Sequence, residues 1–196
     1  MIDPLPFLTY TFVMSITPGP NNVMLTASGA RFGMRRTLPH LIGVSTGFAV
    51  QLLAVCAGLA VLFARWPAAH TLLSWLGAGY LVFLGWQLLR SEAASATARA
   101  RPLRLHEAAL FQFLNPKAWV MSLTAATLFL PTGLDPLLRG LYMVGVNVAV
   151  GLPCMSVWAL FGSSLRSLLE RAGWRRAFNW STAALLVVTA LAGLRY

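Results

Sequence analysis

Six long runs without acidic residues or arginine constrain this sequence more than any other feature. The runs cover residues 4–30, 37–64, 66–89, 108–134, 140–165 and 177–194. Only Lys117 places a charge inside one of them. A helix of about 20 apolar residues crosses a hydrocarbon core of about 30 Å, and continuous apolar runs favour helices over barrel strands. The sequence therefore predicts an all-α polytopic membrane protein with six transmembrane helices in a single domain, residues 1–196.

The charge distribution argues for a lipid bilayer as the surroundings and against nucleic acid as a partner. The chain carries a net charge of +10, which by itself is also typical of nucleic-acid-binding proteins. However, only 10% of its residues are charged, against about 25% in soluble domains. The arginines also cluster between the apolar runs, which is where a membrane protein carries them.

Arginines in alternate loops predict the orientation of the helices. The loops after the first, third and fifth runs hold eleven of them: Arg31, Arg35, Arg36, Arg90, Arg99, Arg101, Arg104, Arg166, Arg171, Arg175 and Arg176. Positively charged loops stay in the cytoplasm. We therefore expect a multi-pass protein of the inner cell membrane with both termini outside.

A proline-rich interruption stands inside the first apolar run. Proline lacks an N–H and clashes with the carbonyl four residues earlier, so a continuous helix cannot form here. A break inside a bilayer is costly unless it faces protein or a water-filled cavity, and the N-terminus of the helix that follows suits a carboxylate. The alternative is a kink that serves packing only. We predict that this break lines a substrate pathway, with Thr17, Pro18, Gly19, Pro20, Asn21 and Asn22.

A second interruption, Asn115–Pro116–Lys117, lies in the fourth run. Asn is a favoured helix N-cap and Pro a favoured first residue, so a new half-helix is expected at Pro116. Lys117 is the only lysine in the chain, and a charge near the bilayer centre costs about 2.5–3.5 kcal/mol. It is predicted to face a substrate carboxylate, with snorkelling to the interface as the alternative. Asn147 is a further pathway candidate, with a helix–helix hydrogen bond as the alternative.

Small residues allow close packing between transmembrane helices. We expect such packing surfaces at Gly43, Gly47, Gly77, Gly79, Gly145 and Gly151.

The two breaks also predict an inverted repeat. A linker at residues 91–104 divides the chain into residues 1–90 and 105–196, and each half holds three runs of which the first is broken. Three crossings make the halves insert in opposite directions, as in secondary transporters whose broken helices meet at the midplane. We therefore predict alternating access. No Asp or Glu lies inside a run, so coupling to protons or sodium would use other groups.

Three stretches make the sequence resemble the LysE/RhtB family of amino-acid exporters. They are residues 17–21 (TPGPN), 77–86 (GAGYLVFLGW) and 113–118 (FLNPKA). The resemblance implies a six-helix inner-membrane exporter of amino acids that is not an enzyme and needs no cofactor or metal. It also implies pathway roles for Pro18, Gly19, Pro20, Asn21, Asn115, Pro116 and Lys117. The chain departs at Asn21, where many members have Asp.

Two other functions are alternatives to amino-acid export, and a dimeric assembly is a further prediction. A membrane thiol oxidoreductase would use Cys56 and Cys154, but inverted helices place these near opposite membrane faces, and a disulfide needs Cα atoms within about 7 Å. A metal-ion exporter would need a His/Cys cluster or intramembrane carboxylates. A homodimer is also open, because six helices are few for enclosing a pathway.

Overall fold

The structure, a computed structural model, describes residues 3–59, 65–93 and 101–194. Eight α-helices and no strand occur in these ranges. The helices are α1 Leu5–Ile16, α2 Pro20–Phe32, α3 Met34–Ala54, α4 Pro67–Ala93, α5 Leu105–Phe111, α6 Pro116–Phe129, α7 Pro136–Ser164 and α8 Ala172–Gly193. A π-helical turn, Val55–Leu59, prolongs α3, and 3-10 turns cover Gln112–Leu114 and Leu168–Glu170. The predicted all-α class is confirmed for this part of the chain.

The surface of the bundle is apolar and its interior holds polar side chains. Leu110 and Leu128 are 66% and 68% exposed, whereas Gln51, Gln112 and Ser122 are fully buried. A protein in water would not expose so many large apolar side chains, whereas lipid tails solvate them and leave polar groups to pair inside. This inversion confirms a membrane protein.

In the described part of the chain, three helical segments are long and apolar enough to cross a bilayer: Met34–Leu59, Thr71–Arg90 and Pro136–Ser164. The first and fourth runs, which contain the breaks, hold no single helix of this length, for a geometric reason. At 1.5 Å per residue, the 12 residues of α1 cover about 18 Å and the 14 of α6 about 21 Å. Each half-helix therefore needs its partner to complete a crossing. Six spans in two inverted repeats stay a prediction.

Glycines bring α2 and α7 into backbone contact. A Cβ on Gly29 would overlap the carbonyl oxygen of Ala159, and one on Gly162 would overlap that of Thr26. Small residues let transmembrane helices approach this closely, and the gain in packing replaces the hydrophobic effect that lipid cannot supply. The helix that follows the first break is thus fixed along its length to α7.

Other glycines that the sequence marked as packing surfaces divide into two groups. Gly43 and Gly47 pack against the backbone of α5, and Gly77 packs against the 3-10 turn that follows it, as expected. Gly79 and Gly145 face open space, so the expectation is wrong for these two. A small residue permits close packing, but only the position of the neighbouring helix decides whether it occurs.

Several of the predicted cytoplasmic arginines gather at one end of the bundle, here called the arginine-rich end. Arg31 and Arg101 line one cavity there, and Arg31, Arg166 and Arg175 line another. Residues 94–100 of the predicted linker, including Arg99, lie outside the described residues.

Candidate functional site

The first break lies where the sequence predicts it, between Ile16 and Pro20. Pro20 is the first residue of α2, where its missing N–H costs nothing. The side-chain amide of Asn22 donates hydrogen bonds of 2.8 Å to the carbonyl oxygens of Ser15 and Thr17. These carbonyls lost their helical partners at the break, so Asn22 satisfies polar groups that would otherwise destabilise the buried backbone.

The second break follows the predicted capping geometry. Asn115 is the N-cap of α6, Pro116 is its first residue, and the Asn115 side chain accepts a hydrogen bond from the Lys117 N–H at 3.1 Å. Asn115 is only 1% exposed, so this cap is part of the interior. The predicted half-helix start at Pro116 is confirmed.

Lys117 joins the second break to the first. Its Nζ donates to the Thr17 carbonyl at 3.0 Å, to the Thr17 hydroxyl at 2.9 Å and to the Pro18 carbonyl at 3.3 Å. An ammonium group has three donors, so these contacts use all of them. They also place a positive charge at the C-terminal end of α1, where the helix dipole is negative. The snorkelling alternative is therefore wrong for this conformation.

An amide pair forms a second link between the halves. Asn21 Nδ2 donates to Gln112 Oε1 at 2.8 Å, and Gln112 Nε2 donates to Asn21 Oδ1 at 3.1 Å. Gln112 is fully buried, and Gln51 Nε2 donates to its backbone carbonyl at 3.4 Å. Gln112 is not among the pathway residues that the sequence predicts. A lone glutamine in an apolar run, one helical turn before the Asn–Pro–Lys break, was the available indication.

Replacing Gln112 with leucine is expected to weaken both folding and transport. The change leaves the Asn21 amide without its partner, and an unsatisfied buried amide costs about 1–3 kcal/mol. We expect a lower unfolding temperature in detergent and about a tenfold loss of transport. The double variant Asn21→Leu/Gln112→Leu should recover part of the stability, and Ser156→Ala, which removes a bond within α7, should change neither quantity. A Gln112→Leu protein as stable and active as the wild type would show that the pair has no role.

A cavity of about 50 Å³ lies between the two breaks, here called the polar cavity. Its lining includes seven of the ten predicted pathway residues: Gly19, Pro20, Asn21, Asn22, Asn115, Lys117 and Asn147. The rest of its lining comes from Met14, Ser15, Val44, Phe48, Ala118, Met121, Gly151 and Met155. Both interruptions therefore border one cavity, which is large enough for a few water molecules or a small polar group.

Three predicted pathway residues lie outside this lining. Thr17 contacts Lys117 from the side of the first break, and the Pro18 ring is exposed on the surface of the bundle. Pro116 packs against Gly193 of α8. A break has two faces, and the sequence alone does not show which residues turn inward.

The polar residues His40, His106 and Glu107, near the starts of the second and fourth apolar runs, take separate positions. His106 is exposed, whereas His40 is 2% exposed and borders a cavity at the arginine-rich end. Glu107 accepts two hydrogen bonds from Arg101, at 2.7 and 2.8 Å, and these bonds raise the pKa of the Arg101 guanidinium. Cys56 and Cys154 are free thiols. Among the described residues, no three His, Cys, Asp or Glu side chains group as metal ligands.

Comparison with known proteins identifies the family. The family described as LysE type translocator matches residues 12–195, which is nearly the whole chain. The chain belongs to the LysE type translocator family. The resemblance drawn from the three sequence stretches is thereby confirmed, and the translocator is a transport protein and not an enzyme.

Relatives of this LysE type translocator are named for what they export. A cysteine/O-acetylserine efflux protein of Klebsiella pneumoniae is 35% identical over 190 residues, covering 94% of this chain and 93% of the relative. Proteins of the same name from Salmonella typhimurium and Escherichia coli K12 are each 34% identical over 189 residues, covering 94% of both chains. No solved structure matches the chain.

Proposed function

We propose that this LysE type translocator exports small neutral amino acids, with cysteine and O-acetylserine as the first candidates. The observation that carries the proposal is the polar cavity between the two breaks, which Lys117 lines while its Nζ donates to the carbonyls of Thr17 and Pro18 beside it. The names of the relatives supply the candidate solutes. Their coverage of the chain is nearly complete, so the comparison extends over the whole proposed pathway.

The chemistry of the polar cavity suits a zwitterion. An amino-acid carboxylate would take the Lys117 ammonium and the free N–H groups at the start of α2 as donors. The ammonium group of the solute would donate to the amide oxygens of Asn21 and Asn147, which both line the cavity. No Asp or Glu is among the described residues that line this cavity, so a second positive charge on the solute would have no counter-charge from them. We therefore expect the protein to reject lysine and arginine.

Alternating access would follow from the Lys117 link. In the present conformation the three donors of Lys117 hold α1 to the start of α6. A bound carboxylate would compete for these donors, weaken the link and allow the broken helices to move. Such a solute shifts the equilibrium only by its difference in affinity for the two conformations.

The helix contacts support the inverted-repeat proposal. The half-helix α1, which begins the first run, packs on α7, where Trp158 Nε1 donates to the Ile16 carbonyl at 3.1 Å. The corresponding half-helix, α5, packs on α3 through Gly43 and Gly47. α7 and α3 are equivalent in two repeats of opposite direction, so each broken helix begins against the equivalent partner.

The remaining parts of the proposal come from charge and composition. The arginine-rich end is placed in the cytoplasm with both termini outside, by the positive-inside rule. Coupling to protons or sodium would use Lys117, a histidine or backbone carbonyls of the breaks. A homodimer stays a prediction.

Transport by purified protein in vesicles tests the proposal. Proteoliposomes preloaded with labelled cysteine, O-acetylserine, serine, alanine, lysine or a divalent cation would be diluted into solute-free buffer. We expect rapid efflux of the small neutral amino acids and no efflux of lysine or the cation above that of protein-free vesicles. Efflux of the cation alone would contradict the proposal and favour a metal-ion exporter. Retention of every amino acid under proton, sodium and potential gradients would also contradict it.

A further inference from the structure

A second cavity lies next to the polar cavity, at the arginine-rich end. Its volume is about 120 Å³, more than twice that of the polar cavity, and we call it the vestibule. Met24, Ser28 and Arg31 of α2 line it, spaced so that they share one face of the helix. Asn21, one turn before Met24, lines the polar cavity. One face of α2 therefore runs from the polar cavity into the vestibule.

A thin apolar layer separates the two cavities. We call it the septum, and its members are Met24, Val44, Leu103, Ala108 and Met155. Met24 and Leu103 line the vestibule, whereas Val44 and Met155 line the polar cavity. On α3, His40 borders the vestibule and Val44 the polar cavity, four residues or about 6 Å apart. The barrier is thus about one helical turn thick.

The opposite side of the polar cavity is closed by a thicker cluster. Met121 lines the polar cavity, and Phe129 lies eight residues further along α6, about 12 Å away. The Phe129 ring lies 5.5 Å from the Phe7 ring and 5.2 Å from the Tyr10 ring, measured between centroids. Both layers contain methionines, whose flexible side chains rearrange at low cost, but only the far cluster adds packed aromatic rings. The septum is therefore the thinner of the two barriers.

Charge and polar groups give the vestibule a preference for anions. Arg101, at its rim, forms two hydrogen bonds with Glu107, which largely cancels its charge. Arg31 contributes a second guanidinium, placed 5.5 Å from the Phe32 ring. Ser28 and Thr182 add hydroxyl groups that are at most 7% exposed. Among the described residues that line the vestibule, none is acidic. A guanidinium beside buried hydroxyls is suited to a carboxylate.

We propose that the vestibule is a separate solute-binding site, in which Arg31 holds the carboxylate of an amino acid before the septum opens to the polar cavity. The inference rests on the proposed export of amino acids and on the cytoplasmic position of the arginine-rich end. The solute binds first to Arg31 and then passes Val44 and Met155 to reach Lys117. The protein would therefore hold two amino-acid sites in series, separated by the septum.

Transport kinetics distinguish a role of the vestibule from a general effect of charge at the arginine-rich end. Uptake of labelled O-acetylserine into everted membrane vesicles reports on the cytoplasmic face. Arg31→Gln is expected to raise the half-saturating concentration about tenfold, as the loss of one charged hydrogen bond predicts, with little change in the maximal rate. Arg175→Gln is the matched control, because Arg175 is also exposed at this end but does not line the vestibule. Equal half-saturation in the two variants and the wild type would overturn the inference.

Binding without transport provides the second measurement. Lys117→Met should block passage but leave the vestibule intact, so O-acetylserine should still raise the unfolding temperature of that variant in detergent. The double variant Arg31→Gln/Lys117→Met should lose this shift. If Lys117→Met alone abolishes the shift, the vestibule is not a separate site. If wild-type vesicles transport no amino acid, the proposed function fails as well, whereas wild-type transport with unaltered Arg31→Gln kinetics overturns only the vestibule.

An anionic lipid headgroup offers the same chemistry as an amino-acid carboxylate and is distinguished by lipid composition. The kinetics of wild type and Arg31→Gln would be compared in phosphatidylcholine proteoliposomes with and without phosphatidylglycerol. An Arg31 effect that persists without the anionic lipid supports solute binding. An effect that disappears in pure phosphatidylcholine assigns Arg31 to a lipid headgroup and overturns the inference.

Discussion

Replacing Lys117 with methionine is expected to reduce amino-acid efflux about 100-fold while the protein still inserts and folds. Methionine has a similar length and fills the same space beside Gly19, but it donates no hydrogen bonds. The three bonds to Thr17 and Pro18 are lost, and a single bond to a charged group is worth about 1.5–3 kcal/mol. Both the link between the breaks and the donor for a solute carboxylate disappear. Initial efflux rates from proteoliposomes with matched protein content measure the loss.

Two threonine variants provide graded controls for this experiment. Thr17→Val removes one of the three acceptors of Lys117, so an intermediate loss of about tenfold is expected. Thr127→Val removes only a hydroxyl bond to the Leu123 carbonyl within α6 and should leave efflux unchanged. Size-exclusion profiles of all three variants in detergent establish that they are folded. Wild-type efflux from a folded Lys117→Met protein would remove Lys117 from the mechanism.

The second large effect is expected from adding one methyl group at Gly162. In an isolated helix, Gly→Ala stabilises by up to about 1 kcal/mol. Here the new Cβ would overlap the Thr26 carbonyl oxygen, and overpacking of this kind costs about 3 kcal/mol because the backbone of α2 must move. The cost of overpacking exceeds the gain in helix propensity, so Gly162→Ala should lower the unfolding temperature by about 6–12 °C. Thermal unfolding of purified protein in detergent measures the shift.

Gly145 gives the matched control, because it lies in the same helix. A Cβ at Gly145 would meet no atom within 4 Å, so Gly145→Ala is expected to be neutral or slightly stabilising. The transport assay adds a second readout, since displacing α2 also displaces Asn21 and Asn22 in the polar cavity. If Gly162→Ala and Gly145→Ala unfold at the same temperature, the close approach of α2 and α7 is wrong.

Local chemistry made the breaks predictable from the sequence. Pro18 and Pro20 flank Gly19, and Pro116 follows a capping asparagine; each combination favours a helix break, because proline lacks an N–H and has a fixed φ. Proline alone does not decide the matter, since Pro39 and Pro153 lie inside α3 and α7. Asn115 as N-cap followed from the same local rules and is what the structure shows. The membrane environment followed from apolar content, and the family resemblance from residues 17–21, 77–86 and 113–118 was confirmed over nearly the whole chain.

Contacts between distant residues were not predictable in the same way. The partner of Lys117 is Thr17, a hundred residues earlier, and the sequence alone left snorkelling as an alternative. Gln112 was missed because nothing local shows that it lies against Asn21. Gly79 and Gly145 were expected to pack but face open space, whereas Gly29 and Gly162 pack without having been selected.

The sequence by itself indicated where the helices break, because each break combines proline with a glycine or a capping asparagine within a few residues. Only the tertiary structure decided that the two breaks border one polar cavity, and that Lys117 and Gln112 connect them. It also decided that Pro18 lies on the surface and that a single apolar layer separates the cavity from the arginine-rich end. The physical reason is that a side chain's partner depends on how whole helices pack, and packing is summed over many weak contacts that no short stretch specifies.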